Sequence, residues 1–177
     1  MKFEGRVWIF KDDDINTDLI YPGKYIYEPL KEEEQARHAM EDYDFDFSDQ
    51  ARKHDIIITG KNFGCGSSRE QAVTCLKYAG VDAIVAKSFA RLFYRNAINS
   101  AVAVIECPEA VDEAFKLEAK QGSRLSDLKM KIDLSNGKIS LALKEYLLKE
   151  YSFPSWDEQA MLIFKAGGLV EYTKQRL

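Results

Sequence analysis

The chemistry most legible in this chain sits in thirteen residues, Gly60-Lys61-Asn62-Phe63-Gly64-Cys65-Gly66-Ser67-Ser68-Arg69-Glu70-Gln71-Ala72, which combine glycines, two adjacent hydroxyls and a guanidinium. Ser67 is followed three residues later by Glu70, the capping-box pattern, so the spacing predicts a helix beginning at Ser67 with Ser68, Arg69 and Glu70 in its first turn. Gly64 and Gly66 permit positive φ and close backbone approach, and a helix N-terminus offers unpaired amides. Such a turn suits a bound carboxylate. A P-loop is excluded because Lys-Ser or Lys-Thr is missing after the last glycine, and the dinucleotide fingerprint fails because Arg69 stands where its third glycine belongs. Two readings remain, an ordinary capped helix behind a glycine turn and an anion site. Arg69 opposes the macrodipole of a first helical turn, and an anionic partner offsets that, which favours the second.

Positioning those side chains requires a strand before them and a helix after. Asp55 to Thr59 is short and β-branched, a buried strand, while Gln71 to Ala79 carries apolar residues at helical spacing. Upstream, Val7 to Phe10 reads as a strand, followed by a long polar loop from Lys11 to Tyr25 containing Thr17, Asp18 and the turn signal Pro22-Gly23. Pro29 to Met40 reads as a helix. In Asp42 to Phe47 acids alternate with Tyr43, Phe45 and Phe47 as if facing one way, a pattern that fits a strand or a lining segment. Downstream come Val81 to Ala86 as a strand, Ser88 to Asn99 as a helix and Ala101 to Cys107 as a strand, so parallel pairing is expected. A helix follows from Pro108 to about Lys120. Met130 to Leu134 and Ile139 to Leu143 flank the hairpin signal Ser135-Asn136-Gly137, and Trp156 to Lys165 and Leu169 to Arg176 read as helices separated by Gly167-Gly168. With no repeat or linker, the expectation is one α/β domain spanning residues 1–177.

The 177 residues are 46% hydrophobic, carry a net charge of -4 and hold no apolar stretch that approaches the length of a membrane span. Acidic residues cluster at Asp12 to Asp14, Glu32 to Glu34 and Glu41 to Asp49 without a compensating basic stripe, so neither nucleic acid nor membrane is an expected partner. The amino terminus lacks an apolar signal region and the three cysteines have no framework spacing, which predicts a reducing cytoplasm and no disulfide. Cys75 and Cys107 fall at apolar positions and read as core, whereas Cys65 lies in the loop; the spacing of the three fits neither a zinc site nor a cluster-binding run. His38 and His54 have no ligand at metal spacing. The nucleophile elbow of a serine hydrolase is absent around Ser67, which leaves that reaction class a minor alternative. Lys87, Arg91 and Arg95 recur around Phe89, Phe93 and Tyr94, either a solvated face backed by an aromatic one or a site for an anion or partner.

Taken together, Asp14-Ile15-Asn16-Thr17-Asp18 with Pro22-Gly23, the Gly60 to Glu70 segment, Ala86-Lys87-Ser88-Phe89-Ala90-Arg91 and the tail Ala166 to Tyr172 resemble the small subunit of the isopropylmalate dehydratase and homoaconitase branch of the aconitase family. The resemblance spans nearly the whole chain and implies an aconitase-type swivelling β/β/α domain. It further implies a hydro-lyase that moves a hydroxyl between adjacent carbons of a 2-hydroxy polycarboxylic acid. No cofactor is expected in this chain, because the family's 4Fe-4S cluster belongs to a large partner subunit.

Carried onto this sequence, the resemblance makes Ser67 the base, acting as alkoxide on the carbon-bound proton, with Arg69 and the amides around Gly66 supporting its charge. Arg69 also binds a substrate carboxylate, Ser68 donates to it, and Asp18 lies near the site to orient groups. Two departures stand out. Broad-specificity members carry an arginine after the Pro22 to Ile26 segment, for a distal carboxylate, whereas this chain has Tyr27-Glu28. That suits an apolar distal group and favours isopropylmalate over homoaconitate, with 2,3-dimethylmalate as a further candidate. Gln71 replaces the histidine commonest after Ser-Ser-Arg-Glu. Outside this class, a stand-alone small-anion binding module remains the alternative.

Overall fold

Strand ends in register create the site's foundation. In a computed structural model, which describes residues 1–118, 124–143 and 146–177, seven strands form one mixed sheet in the order β4-β3-β2-β1-β5-β6-β7. The strands are β1 (Lys2–Phe10), β2 (Asp55–Thr59), β3 (Val81–Ala86), β4 (Ala103–Glu106), β5 (Leu125–Asp133), β6 (Lys138–Leu143) and β7 (Tyr146–Ser152). The first four are parallel, as expected from strands alternating with helices, and Phe10, Thr59, Ala86 and Glu106 align across their carboxyl ends. The loops after β1, β2 and β3 therefore leave the sheet side by side.

Helices cover both faces of this parallel half. On one face α4 (Gln71–Ala79) and α5 (Arg91–Asn99) pack Val73, Cys75, Leu76, Phe93 and Ala97 against Trp8, Phe10, Ile57 and Ile84. On the other, α6 (Pro108–Glu118) sets Ala110, Val111 and Ala114 against Val7, Ile9, Ile56, Ile58 and Val85. This is why Ile56, Ile57 and Ile58 are all fully buried and read as a continuous apolar run. β5 alternates buried and exposed residues because only one of its faces is covered. At the foot of β2 the buried Asp55 carboxylate accepts from Arg6 Nε at 2.9 Å, Trp8 Nε1 at 2.8 Å and the Arg52 amide at 2.9 Å, so its charge is compensated.

Several boundaries differ from the sequence reading. The helix expected over Pro29 to Met40 is confined to α2 (Glu32–Arg37), since Lys31 is extended and Met40 adopts φ +61°. Tyr43, Phe45 and Phe47 do not share a face: Phe47 is buried at the start of α3 (Phe47–Gln50), Phe45 is exposed, and the segment between is turn. The polar loop after β1 contains a short α1 (Thr17–Ile20) and a 3-10 turn at Gly23–Tyr25. Lys87 to Ala90 are not helical, because the Phe63 strand bridge claims Phe89; Lys87 is thus off the helix and pairs with Asp112 at 2.6 Å. β7 had no counterpart in the sequence reading. The helix from Pro108 is described to Glu118, and Lys120 lies outside the described residues. α7 (Glu158–Lys165), capped by the Asp157 carboxylate, and α8 (Leu169–Lys174) close the chain.

Candidate active site

Three loops at the carboxyl edge are laced together by their backbones. The amide of Asp14 donates to the Lys61 carbonyl at 2.9 Å, Gly64 to Ile15 at 2.8 Å and Thr17 to Cys65 at 2.8 Å. From the other side Phe63 donates to the Ser88 carbonyl at 3.1 Å and Ala90 to Phe63 at 3.0 Å, while the Asn62 amide donates to Ser88 Oγ at 2.9 Å. The acidic run joins in, with Asp13 accepting from the Lys61 amide at 2.6 Å and Asp14 from Asn62 Nδ2 at 2.7 Å. Part of that run is therefore structural. Gly64 (φ +76°) is obligatory, because a Cβ there would lie 2.2 Å from the Phe93 ring.

Ser67 does not cap a helix. α4 starts at Gln71, Glu70 makes no capping hydrogen bond, and Val73 and Thr74 donate to the Glu70 carbonyl at 2.8 and 3.0 Å. What overrides the capping-box pattern is a tertiary bond: Thr17, only 2% exposed, donates its hydroxyl to the Ser67 carbonyl at 2.9 Å and holds Gly66 to Ser68 out of the helical path. Gly66 adopts φ +92°, and a Cβ there would stand 3.3 Å from Thr17 Oγ1. Among the described residues, no group accepts from the amides of Gly66, Ser67, Ser68, Arg69 or Glu70. The free donors are thus those of an irregular loop, with Ser67 and Ser68 exposed at its crest.

Arg69 returns toward the body and is bound by Asp18, Nη1 to Oδ1 at 2.5 Å, with the guanidinium side chain 16% exposed and the carboxylate 58% exposed. Asn16 fixes Asp18 by capping α1, its side chain accepting from the Asp18 and Leu19 amides at 2.9 and 3.0 Å. Gly23 lies over this pair, since a Cβ on it would sit 2.9 Å from Asp18 Oδ1 and 3.6 Å from Arg69 Nη1. Ser67, Ser68, Gly66, Arg69 and Asp18 are brought into one region. Tyr27, on the turn that follows Gly23–Tyr25, is 94% exposed and packs on none of them in this chain.

Thr17 and Gly23 were missed as positioning residues. The available signal was Asn16-Thr17-Asp18 as a cap followed by Pro22-Gly23, which marks a short helix and a turn rather than an open loop.

The segment bearing Gly23 is anchored independently. Lys24 Nζ meets Glu41 Oε1 at 2.8 Å, His38 Nδ1 meets Glu41 Oε2 at 2.5 Å, and the His38 ring stacks on Tyr25 with centroids 3.7 Å apart. Burial raises the Glu41 pKa, but the hydrogen bonds from Lys24 and His38 outweigh it and leave the carboxyl below its ordinary value. Burial holds Tyr21, beneath this segment, in its neutral phenol form, pushing its pKa up to about 12.

Neither histidine hydrogen-bonds a serine. His38 is committed to Glu41, and His54, at the amino end of β2, to Asp82 at 2.7 Å, whereas Ser67 follows the carboxyl end of that strand. A Ser-His-Asp arrangement is not formed. The three cysteines are free and lie in different elements; burial raises the pKa of each thiol, with the Asp14 charge adding to the effect at Cys65. They fit no cluster, and among the described residues no three His, Cys, Asp or Glu side chains converge on a metal position. No helix among these residues is long and apolar enough to cross a membrane.

Comparison with known proteins gives one answer. Residues 2–110 match the aconitase C-terminal domain. The chain is 46% identical to the 3-isopropylmalate dehydratase small subunit of Hydrogenobaculum sp., over 100% of this chain and 99% of that protein. It is 48% identical to 3-isopropylmalate dehydratase small subunit 1 of Thermotoga maritima, over 97% and 94%. The crystal structure of a 3-isopropylmalate dehydratase from Methanocaldococcus jannaschii superposes with a TM-score of 0.80 at 38% identity, covering 99% of this chain and 95% of that one. With the α/β fold in agreement, the chain belongs to the aconitase C-terminal domain family, in the branch of the 3-isopropylmalate dehydratase small subunits.

Proposed function

We propose that this chain, as a single swivel-like domain over residues 1–177, is the small subunit of a heteromeric 3-isopropylmalate dehydratase of the cytoplasm, a hydro-lyase of leucine biosynthesis. It interconverts 2- and 3-isopropylmalate by dehydration and rehydration, and it works only when a large subunit covers the carboxyl edge of its sheet. The observation that carries this reading is the exposed crest Gly66-Ser67-Ser68 beside Arg69, a set of anion-binding donors at which, among the described residues, no cluster of metal-ligating side chains converges.

In dehydration Ser67 Oγ, as alkoxide, takes the proton from carbon as the neighbouring hydroxyl departs; in rehydration it returns the proton. A serine alkoxide is far too basic to persist in water, so its charge must be supported where water is excluded. The support comes from the unpaired amides of the Gly66 to Glu70 loop and from Arg69. The helix N-terminus contributes less than the sequence implied, because α4 begins four residues beyond Ser67. Arg69 clamps a substrate carboxylate, Ser68 donates to the same group, and Asp18 aims the guanidinium. Tyr27 presents an apolar surface to the isopropyl group once the large subunit closes over it.

The 4Fe-4S cluster resides in the large subunit and supplies Lewis-acid chemistry at the departing hydroxyl. The residues of this chain do not fit it, and none of their steps is routed through it. Reconstitution with a cluster-loaded large subunit, comparing wild type with Ser67→Ala, tests the reading.

A further inference from the structure

Beside the catalytic loop lies a cavity of about 440 Å³ that this chemistry does not use. It opens between the start of α5, the end of β4 and the segment that leads from β7 to α7, with Phe89, Tyr94 and Trp156 among its walls. Trp156 is fixed there by donating Nε1–H to the Val104 carbonyl at 3.2 Å. Arg91 and Arg95 also line the cavity, both exposed, and neither pairs with a carboxylate among the described residues, whereas nearby Lys87 is neutralised by Asp112. Between the two arginines Leu92 is 49% exposed. Unpaired arginines beside a hollow walled by a tryptophan and a tyrosine form the composition of a protein-binding hot spot, with Leu92 an exposed apolar neighbour.

We infer that this cavity is the anchor point for an acidic segment of the large subunit, which inserts an apolar side chain between Phe89, Tyr94 and Trp156 and sets carboxylates against Arg91 and Arg95. The inference rests on the heteromeric reading above and extends it. Charge selects the occupant: the two arginines call for carboxylates, yet Glu106, whose Oε1 accepts from the Phe89 amide at 3.1 Å, sits in the same cavity and opposes a free dianion settling inside it. A peptide segment satisfies both demands, with its apolar residue inside and its charges at the arginines. The cavity also continues the proposed catalytic face, because Phe89 is bridged to Phe63, four residues before Ser67.

The test is binding of the labelled small subunit to the cluster-loaded large subunit, followed by fluorescence anisotropy, with turnover measured in parallel at saturating large subunit. Arg91→Glu/Arg95→Glu is expected to weaken the apparent Kd at least tenfold and to flatten its salt dependence, while kcat at saturation and the thermal unfolding of the free subunit stay at wild-type values. Leu92→Ala is expected to weaken Kd without changing the salt slope. Ser67→Ala should bind as wild type does. Wild-type affinity in the double-charge variant overturns the inference, as does saturable binding of isopropylmalate by the isolated subunit that the double-charge variant abolishes. If wild-type subunit neither binds the large subunit nor supports turnover, it is the heteromeric reading that fails.

Discussion

The hydroxyl of Thr17 donates to the carbonyl oxygen of Ser67 at 2.9 Å, joining residues fifty positions apart in sequence. This bond sets the path of the chain through Ser67, and so the direction in which the serine hydroxyl is offered. Thr17→Val keeps the shape and removes the donor. Stability should fall by about 1 kcal/mol, which lowers Tm by roughly 2–4 °C for a chain of this size. Turnover of the reconstituted enzyme should fall more steeply, by about tenfold, with Thr17→Ser restoring most of it. Equal losses in both variants would show that the hydroxyl does not act through Ser67.

Arg69 is expected to act through its planar fork as well as its charge. Lysine at this position keeps the charge but cannot hold Asp18 and a substrate carboxylate together. Arg69→Lys should lower kcat/KM of the reconstituted enzyme by about 10–100-fold, the kinetic equivalent of roughly 1.4–2.8 kcal/mol, with little change in unfolding because the Asp18 partner is largely solvated. Steady-state kinetics beside a melting curve separate the two effects.

The two loop glycines should fail differently. Gly64→Ala meets both a left-handed φ and the Phe93 ring, and is expected to cost about 2–5 kcal/mol, visible in denaturant unfolding. Gly66→Ala meets Thr17 Oγ1 at 3.3 Å, close enough that this hydroxyl must give slightly, so the backbone penalty of about 1–2 kcal/mol dominates. Its larger consequence should be lost turnover, since the crest carrying Ser67 must shift.

Glu41 supplies a pH signature for the segment that bears Gly23. Its folded pKa lies below the ordinary 4.5, so it binds fewer protons folded than unfolded in that range. The stabilisation is present above pH 4.5 and disappears as pH falls through the lower folded value. Glu41→Gln should therefore cost about 1–2 kcal/mol at pH 7, and the gap between the two proteins should close in strong acid. A gap that persists unchanged at low pH would contradict the assignment.

Much of the fold was written locally. The β-branched run Ile56 to Ile58, the strand Val81 to Ala86 and the hairpin around Asn136-Gly137 all encode their state in a few neighbouring residues, and the structure follows them. The errors arise where a distant contact wins. Ser67 and Glu70 spell a capping box, but Thr17 takes the Ser67 carbonyl and delays the helix to Gln71. Ser88 to Ala90 look helical, but Phe63 pairs with Phe89 as a strand. β7 is largely exposed and lacks alternating burial, so its extended state comes from pairing with β6 rather than from its own pattern. At the site, the residue types were legible in Gly66 to Arg69, whereas the Asp18 pairing with Arg69 and the role of Thr17 required the β1 and β2 loops to be laid side by side.

If Ser67 is the base of a reaction completed only by a second subunit, the kcat of the enzyme reconstituted from Ser67→Ala and a cluster-loaded large subunit must register its loss. Neither subunit alone should turn over, the wild-type pair should isomerise isopropylmalate fully, and the variant pair should lose about 10³-fold or more with assembly unchanged. Activity of the variant pair within about tenfold of wild type, or turnover by the isolated small subunit, would contradict that reading.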